Sequence, residues 1–522
     1  MHKFIFIILF SIINLITCIS QVRIDSLYDL LKIQSFGNMI NKSNDGFFLI
    51  GQGTDTVPWN VYGSIFTSMN YDGTINFSKY TLDRNKQKSY DNLNAVVFDS
   101  LAYTTFVGSK PIQILQFSLA TGTIVHRTEI INAIGGSDPT FPFSIQRIDS
   151  NNLMVVSSSL NKNETQYVSQ FSILDLQNDN LTYHFNSFPG YEQHLTNVKV
   201  TQTGYILGGY IRKGDPWKLD FESHATIVWL DKNFNEVKRY ISNDEPWEIF
   251  GTDIIVNQDG SVVSTNCIGR KYQVGIYYFD EWRPSLYKVD SGGNFLWQRP
   301  MGRDLFIDDH YFFRCLLPTN SGDGFIAAGG QPNFSDSIYY SGANYNEKGE
   351  NLRFEALIAK VSNEGDSLWS RWYYKADFLF SRSEFYDIIP HPDGGYLLSG
   401  YANKGPIQPQ EISTYTWLLY VDEYGCAVPG CQNIVKTDDP TLPDPIRLYP
   451  NPATDVLYVY QQEDEMIRYM ITDIQGKIMT GFTCSQGSTK VVIEVNGYPP
   501  GEYILIKKDS QGRTRSEKWI KI

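Results

Sequence analysis

The sequence predicts an all-β chain: a seven-bladed β-propeller followed by a small C-terminal antiparallel β-sandwich. Three observations carry that expectation. A turn-plus-strand element recurs seven times, a hairpin element keeps step with it, and a Pro-rich stretch beginning near residue 433 ends both. Periodic self-similarity of this kind marks repeat architectures. With 522 residues, the chain exceeds one typical domain, although propellers run long as single units.

Residues 1–20 read as a secretory signal, with Lys3 as the positive start, Phe4 to Ile13 as the apolar stretch and Cys18-Ile19-Ser20 as the exit. Leu15-Ile16-Thr17-Cys18 loosely resembles a lipoprotein cleavage box, but Thr17 stands where a smaller residue is normal. No later run is long and apolar enough to read as a transmembrane helix.

Residues 21–432 hold the repeats. The first element is a turn, a short apolar strand and small residues. It reads Asn44-Asp45-Gly46 into Phe47 to Gly51, then Thr203-Gly204 into Tyr205 to Gly209, Asp259-Gly260 into Ser261 to Ser264, Asp323-Gly324 into Phe325 to Gly329, and Asp393-Gly394-Gly395 into Tyr396 to Gly400. Weaker copies fall at Asp99 to Tyr103 and Asn151 to Val155. The second element is a polar hairpin turn followed by an aromatic: Tyr71-Asp72-Gly73 leads to Phe77, Asp290 to Gly293 leads to Trp297, and Asn363-Glu364-Gly365 leads to Trp369. Thr121-Gly122, Asn178-Asp179, Asn233 to Asn235 and Asp422 to Gly425 fill the same slot elsewhere. Gly, Asn and Asp supply the positive φ that tight hairpins need. Two markers sharing one period predict four-stranded blades. The small residues Gly51, Gly208-Gly209 and Ala327-Ala328 suit a crowded centre where strands converge, and the segment from Pro332 to Asn351 reads as an inserted loop on one face.

Residues 433–446 form an extended linker, with three prolines between Lys436 and Pro445. In residues 447–522, strands are expected at Val456 to Tyr460, Ile467 to Asp473, Val491 to Val495 and Tyr503 to Lys507. Leu448-Tyr449-Pro450-Asn451-Pro452-Ala453-Thr454-Asp455, Ile471 to Lys477 with Gly476, Pro500-Gly501-Glu502-Tyr503-Ile504-Leu505 and the tail Lys518 to Ile522 occur in this order. Together they resemble the type A C-terminal sorting domain of type IX (Por) secretion cargo. The resemblance implies passage across the outer membrane, handling by the secretion machinery and its sorting-domain peptidase, and a secreted or cell-surface product. Pro450 and Pro452 would rigidify the approach to the first strand, and Gly476 and Gly501 would serve turns. The preceding residues resemble the repeat propellers that such tails carry, a likeness of architecture that gives no function.

Charge is uneven. The chain carries −13 overall, whereas residues 446–522 hold ten Lys or Arg against nine Asp or Glu, so the acidity belongs to the body. An acidic body argues against nucleic-acid binding. Cys426 and Cys431 flank the Pro429-Gly430 turn and are expected to bridge; a second pairing, of Cys267 with Cys315, is left open, and Cys484 is then left over. No cysteine and histidine pattern suggests a metal site, and no cofactor is implied.

Candidate chemistry is sparse. Aromatic residues make up 14% of the chain, which suits pleated strands and also suits sugar stacking. Trp217 and Trp282 stand beside Asp, Pro, Glu and Arg and are the best candidates for a ligand face; Trp59, Trp247 and Trp372 also lie outside the hairpin slot. Asp308-Asp309-His310 is a tight cluster that could bind a cation, act as acid and base, or simply cap a loop. His391 in Pro390-His391-Pro392-Asp393 reads as a surface turn residue. Asp290 to Trp297 and Ser362 to Trp369 faintly resemble the Asp-box of sialidases and the docking repeats of quinoproteins, but the accompanying catalytic or cofactor residues are absent. No motif of a nucleophile elbow, zinc protease or phosphate loop occurs. The expectation is therefore a binding propeller for a glycan or protein partner. The alternatives are a polysaccharide hydrolase or lyase using carboxylates in the channel, or a structural module of a surface complex.

Overall fold

The computed structural model describes residues 24–28, 30, 34–43, 46–54, 62–82, 95–107, 111–135, 141–163, 166–214, 222–243, 247–249, 253–274, 277–301, 313–333, 353–373, 383–404, 413–427, 447–449, 453–460, 467–473, 477–484, 490–508 and 514–521. They are built of β-strands, with no α-helix among the described residues. The chain divides into two compact units, Met1–Asn433 and Ile434–Ile522.

The first unit contains seven antiparallel sheets among the described residues, six of them ordered first to fourth strand in chain sequence. Sheets 1 to 6 span residues 34–82, 95–130, 141–186, 192–241, 247–300 and 313–373, and sheet 7 takes residues 383–421. Its fourth strand comes from the other end of the unit: Asp25–Tyr28 pairs with Ser413–Val421, with Leu27 opposite Trp417. In sheet 5 the first strand is split into Trp247–Ile249 and Ile254–Val256, both paired with Val262–Val274. The weak repeat copies are strands too, Leu101–Val107 and Asn152–Leu160.

Each sheet buries one face against the next. Phe48, Ile50 and Phe66 of sheet 1 meet Phe106, Leu115 and Phe117 of sheet 2, and comparable cores join sheets 2 and 3, 3 and 4, 4 and 5, 5 and 6, and 6 and 7. Sheet 7 then packs on sheet 1 through Leu397, Leu418 and Tyr420 against Ile40, Leu49 and Ile65. The first strand of every sheet also lies beside the first strand of the next, sheet 7 to sheet 1 included. This closed arrangement is a β-propeller fold, in which no sheet face is left without a partner.

The hairpin element is a joint. One turn residue per sheet between the third and fourth strand positions has positive φ: Gly73, Gly122, Asp179, Phe234, Gly293, Gly365 and Gly425. That residue lies against the outer part of the preceding sheet. A Cβ on Gly122 would meet Phe77 at 2.7 Å, one on Gly365 would meet Trp297 at 2.6 Å, and one on Gly425 would meet Trp369 at 2.7 Å. Elsewhere His126 bonds Asp179 at 2.9 Å, Phe234 stacks on His184 at 4.0 Å, and the Tyr28 hydroxyl donates to the Gly73 carbonyl at 2.9 Å.

The small residues of the second strand answer to the first. The register of the first strand shifts in sheets 1, 3, 4, 6 and 7, for example between Leu195 and Asn197 and between Phe385 and Asp387. These bulges press backbone onto the neighbouring strand: a Cβ at Gly209 would lie 2.1 Å from the His194 carbonyl, and one at Gly400 would lie 1.9 Å from that of Glu384.

In the second unit Arg447–Tyr449, Val456–Tyr460 and Lys490–Glu494 make one sheet, and Ile478–Cys484, Ile467–Asp473, Gly501–Lys508 and Thr514–Lys521 make another. Both contribute to one core around Leu457, Tyr469, Leu505 and Trp519. Gly501 opens a strand opposite Lys521 rather than sitting in a turn, because the chain reversal is completed before it, around Tyr498. Three of the seven strands, Arg447–Tyr449, Ile478–Cys484 and Thr514–Lys521, were not expected from the sequence.

Candidate functional site

The two ends of the sheets differ because antiparallel order sends odd and even connections to opposite ends. Among the described residues, connections from first to second strand and from third to fourth strand are tight turns, such as 201–203, 257–261 and 363–366. The strand ends that lead into second-to-third connections, and into those from one sheet to the next, share the other end, and they flank the stretches 83–94, 214–221, 301–312, 334–352 and 405–412. The unit thus has a turn end and a loop-bearing end.

Near the loop-bearing end the first strands carry buried polar side chains. In sheet 4, Glu192 stands opposite Arg212 and His194 opposite Tyr210. Ser158 Oγ and His194 Nδ1 share a hydrogen bond of 2.7 Å, and Tyr210 stacks on the imidazole at 4.8 Å. Glu192 Oε2 lies 3.9 Å from His194 Nε2 and accepts from Arg212 Nε at 2.6 Å. Burial holds the His194 ring below its usual pKa, and hence neutral, while it pushes the Tyr210 hydroxyl up to about 12. The serine, histidine and glutamate form a line, but Ser158 is fully buried, so this is a packed polar core rather than a nucleophile. At the equivalent position of sheet 7, Glu384 accepts from Arg314 Nε at 2.7 Å and from the Tyr401 hydroxyl at 3.4 Å.

One step further along the first strands, just past the bulge, sit Asn197, Cys315 and Asp387, with Asp253 opening the corresponding strand of sheet 5. The two carboxylates tie sheets together. Asp253 Oδ1 accepts from its own strand at Ile254 N (2.8 Å), and Oδ2 accepts from Leu316 N of sheet 6 (2.9 Å). Asp387 does the same with Ile388 N (2.8 Å) and Ile40 N of sheet 1 (3.0 Å). Burial pushes the Asp387 carboxyl up to about 7, its amide bonds partly opposing the shift and the Asp253 charge adding to it. Cys315 lies between the two, and burial and both carboxylates raise its thiol pKa. Lys199 Nζ stands 3.5 Å from Asp253 Oδ1. Among the described residues no group of three or more His, Cys, Asp or Glu is placed to hold a metal ion.

Several expected residues fall elsewhere. Trp59, Trp217, Asp308, Asp309, His310, Cys431, Pro450, Asn451, Pro452 and Gly476 lie outside the described residues, as do the proposed signal and the stretch 433–446. The backbone of Trp282 pairs with Gly269 in the long hairpin of sheet 5, near the loop-bearing end. Trp372 packs against the core between sheets 5 and 6. His391 is a correction: it is buried between Tyr71 and Tyr420, because its turn is the joint between sheets 7 and 1. Cys267 and Cys315 are also not bridged to each other; each carries a buried thiol on adjacent sheets. Cys426 is disulfide-bonded. Asp253, Asp387, His194 and Glu384 were missed in the sequence. The available signal was the triplet Asp-Ile-Ile, present at Asp253-Ile254-Ile255 and again at Asp387-Ile388-Ile389 ahead of the more conspicuous second strand.

Residues 447–522 match the family described as the secretion system C-terminal sorting domain. The second unit is therefore a type IX sorting domain, and the chain is secreted to the cell surface or the extracellular space. No helix among the described residues is long and apolar enough to cross a membrane. No curated protein matches the chain. Among solved structures, similarity extends to a Dos1 propeller, with 10% identity, TM-score 0.39, and coverage of 71% of this chain and 75% of that one. Polysaccharide lyase Uly1 gives 10% identity and TM-score 0.40 over 74% and 90%. The GH93 α-L-arabinofuranosidase of Fusarium graminearum with arabinobiose gives 8% and 0.38 over 65% and 95%. Likenesses this distant carry no argument about activity.

Proposed function

We propose that the chain is a seven-bladed β-propeller that binds a glycan or protein partner outside the cell. In this reading residues 1–20 are a signal peptide, 21–432 the propeller with a Cys426–Cys431 bridge, 433–446 a linker, and 447–522 a sandwich-like sorting domain removed or used as an anchor after export. The observation that carries the binding reading is the asymmetry of the two ends: tight turns gather at one, and the strands that flank long connections such as 301–312 and 334–352 end at the other. Binding residues concentrate on loops held by a rigid scaffold. Trp217 and Asp308 to His310 belong to connections whose flanking strands open at that end, and Trp282 lies beside it.

A hydrolase reading is less favoured. A carboxylate acting as acid or base needs an oxygen within reach of substrate, whereas both oxygens of Asp253 and of Asp387 already accept backbone amides. The test compares the mature chain with a variant whose 334–352 segment is replaced by a short Gly-Ser turn, on a glycan array, in pull-downs from cell-surface extracts and in a polysaccharide hydrolysis screen. Loss of at least one ligand by the variant, without hydrolysis by either protein, is expected. Turnover of a polysaccharide, or retention of every ligand by the variant, would overturn the reading.

A further inference from the structure

One inter-sheet joint is built differently from its neighbours. Four residues after the positive-φ turn residue, the outer strand carries Phe77 in sheet 1, Trp297 in sheet 5 and Trp369 in sheet 6, and each ring fills the space beneath the next sheet's turn. In sheet 4 that position is Lys238, four residues after Phe234. The joint to sheet 5 is correspondingly loose. A Cβ on Gly293 would meet nothing nearer than Trp229 at 3.8 Å, over an ångström more than at the aromatic joints.

The space left by the missing ring is a cleft of about 550 Å³ at the turn end, within the range of roughly 300–1,000 Å³ usual for small-molecule sites. Its walls are apolar at the floor, from Trp229, Ile206 and Val256, and neutral and polar at the rim, from Thr203, Gln258 and Ser291. Lys238 spans the opening, with its ammonium 4.4 Å above the Trp229 ring and a hydrogen bond to the Ser291 carbonyl. Three turn carboxylates, Asp231, Asp259 and Asp290, neighbour lining residues in sequence, and each is occupied by amides of its own turn. Their charge disfavours an anion, while hydroxyl and amide groups around an apolar floor match the polar edges and apolar face of a sugar ring.

We infer that the cleft between sheets 4 and 5 is a saccharide-binding site for a neutral, hydroxyl-rich oligosaccharide. It lies at the end opposite the long connections and does not depend on the ligand proposed for them. The ring of the ligand lies beside Lys238, which stands where Phe77, Trp297 and Trp369 stand at other joints.

Saturation-transfer NMR and calorimetric titration of the mature chain with cellohexaose, maltohexaose and mannohexaose test this, with hexagalacturonate as the charged comparator. At least one neutral hexasaccharide should bind, and the uronate should bind more weakly. Lys238→Phe rebuilds the missing wedge and should weaken binding by roughly tenfold or more, the loss expected when a ligand ring is displaced from its pocket. Gln258→Ala, a surface change that leaves the joint intact, should weaken it by a smaller factor. Shortening 334–352 should leave this binding unchanged, which separates the cleft from the loop-bearing end. Absence of binding by all three neutral sugars, tighter binding of the uronate, or unchanged affinity in both Lys238→Phe and Gln258→Ala would overturn the assignment.

Discussion

Asp387 Oδ2 accepts the backbone N–H of Ile40 at 3.0 Å, so the last sheet of the propeller is hydrogen-bonded to the first by a side chain at the level of the inner strands. Asp253 makes the same tie from sheet 5 to sheet 6 through Leu316 N at 2.9 Å. Apolar packing between sheets is non-directional; these carboxylates add direction by fixing how far one inner strand can slide along the next.

The Asp387 tie should make stability depend on pH in a particular sense. Its carboxyl is raised from 3.8 to about 7 in the folded protein, with burial as the largest cause. The folded state therefore holds this proton more tightly than the unfolded chain does. Its contribution is fully present below the unfolded value near 3.8 and is lost as pH rises through about 7. Asp387→Asn removes the titration, so the difference in urea midpoint between the wild type and this variant should shift in the variant's favour between pH 5 and pH 8. Asp387→Ala leaves two buried amides without acceptors and should cost about 1–3 kcal/mol for each. A difference that stays flat over the same range would refute the assignment.

Glycines that face the bulges should be intolerant of any side chain. A Cβ at Gly400 would sit 1.9 Å from the Glu384 carbonyl oxygen, and one at Gly209 would sit 2.1 Å from that of His194. Relief requires the inner strand to move, an overpacking cost of about 1–3 kcal/mol or more. Gly497→Ala, where nothing lies within 4 Å, serves as the control. Thermal melts of the three alanine variants should rank the control nearest to wild type.

How much of this was readable in the sequence depends on what each residue signals locally. The second-strand repeat was visible because a turn glycine and an apolar run are sequence-local features. The hairpin aromatics were visible for the same reason, although their role under the next sheet's turn was not. The inner strands were harder. Their bulges break the period of two on which strand reading rests, so Asp253, Asp387 and Glu384 looked like scattered acids in an acidic chain. His391 was misread because Pro390 and Pro392 announce a turn, and nothing local reveals that this turn is covered by Tyr71, more than three hundred residues away in sequence. The thiols show the same limit, since strands on neighbouring sheets suggest proximity but do not aim side chains at each other.

The aromatic joints should contribute comparably to stability. Trp297 packs against Gly365, and its indole N–H donates to the Asn363 carbonyl at 3.2 Å. Trp297→Ala should therefore cost about 2–3 kcal/mol, the worth of a large apolar side chain withdrawn from water. Lys238→Ala at the loose joint should cost far less. Denaturant titration of both variants decides the comparison, and equal losses would show that the wedge is not what holds sheets 5 and 6 together.

The cysteines offer a chemical check on the inner strands. Cys315 is buried, and its thiol is pushed well above its usual pKa by that burial, reinforced by Asp387 and Asp253. Cys267 is buried in sheet 5. Thiolate is the reactive form, so a thiol that is both covered and hard to ionise resists alkylation. Iodoacetamide at pH 8 should leave both residues unmodified in the folded protein and modify both after unfolding in guanidinium without reductant, as read by peptide mass mapping. Cys426, already in a disulfide, should be modified only after reduction. If Cys315 alkylates in the native protein as fast as a small free thiol does, the inner strand of sheet 6 is not packed as described, and the carboxylate ties on either side of it lose their support.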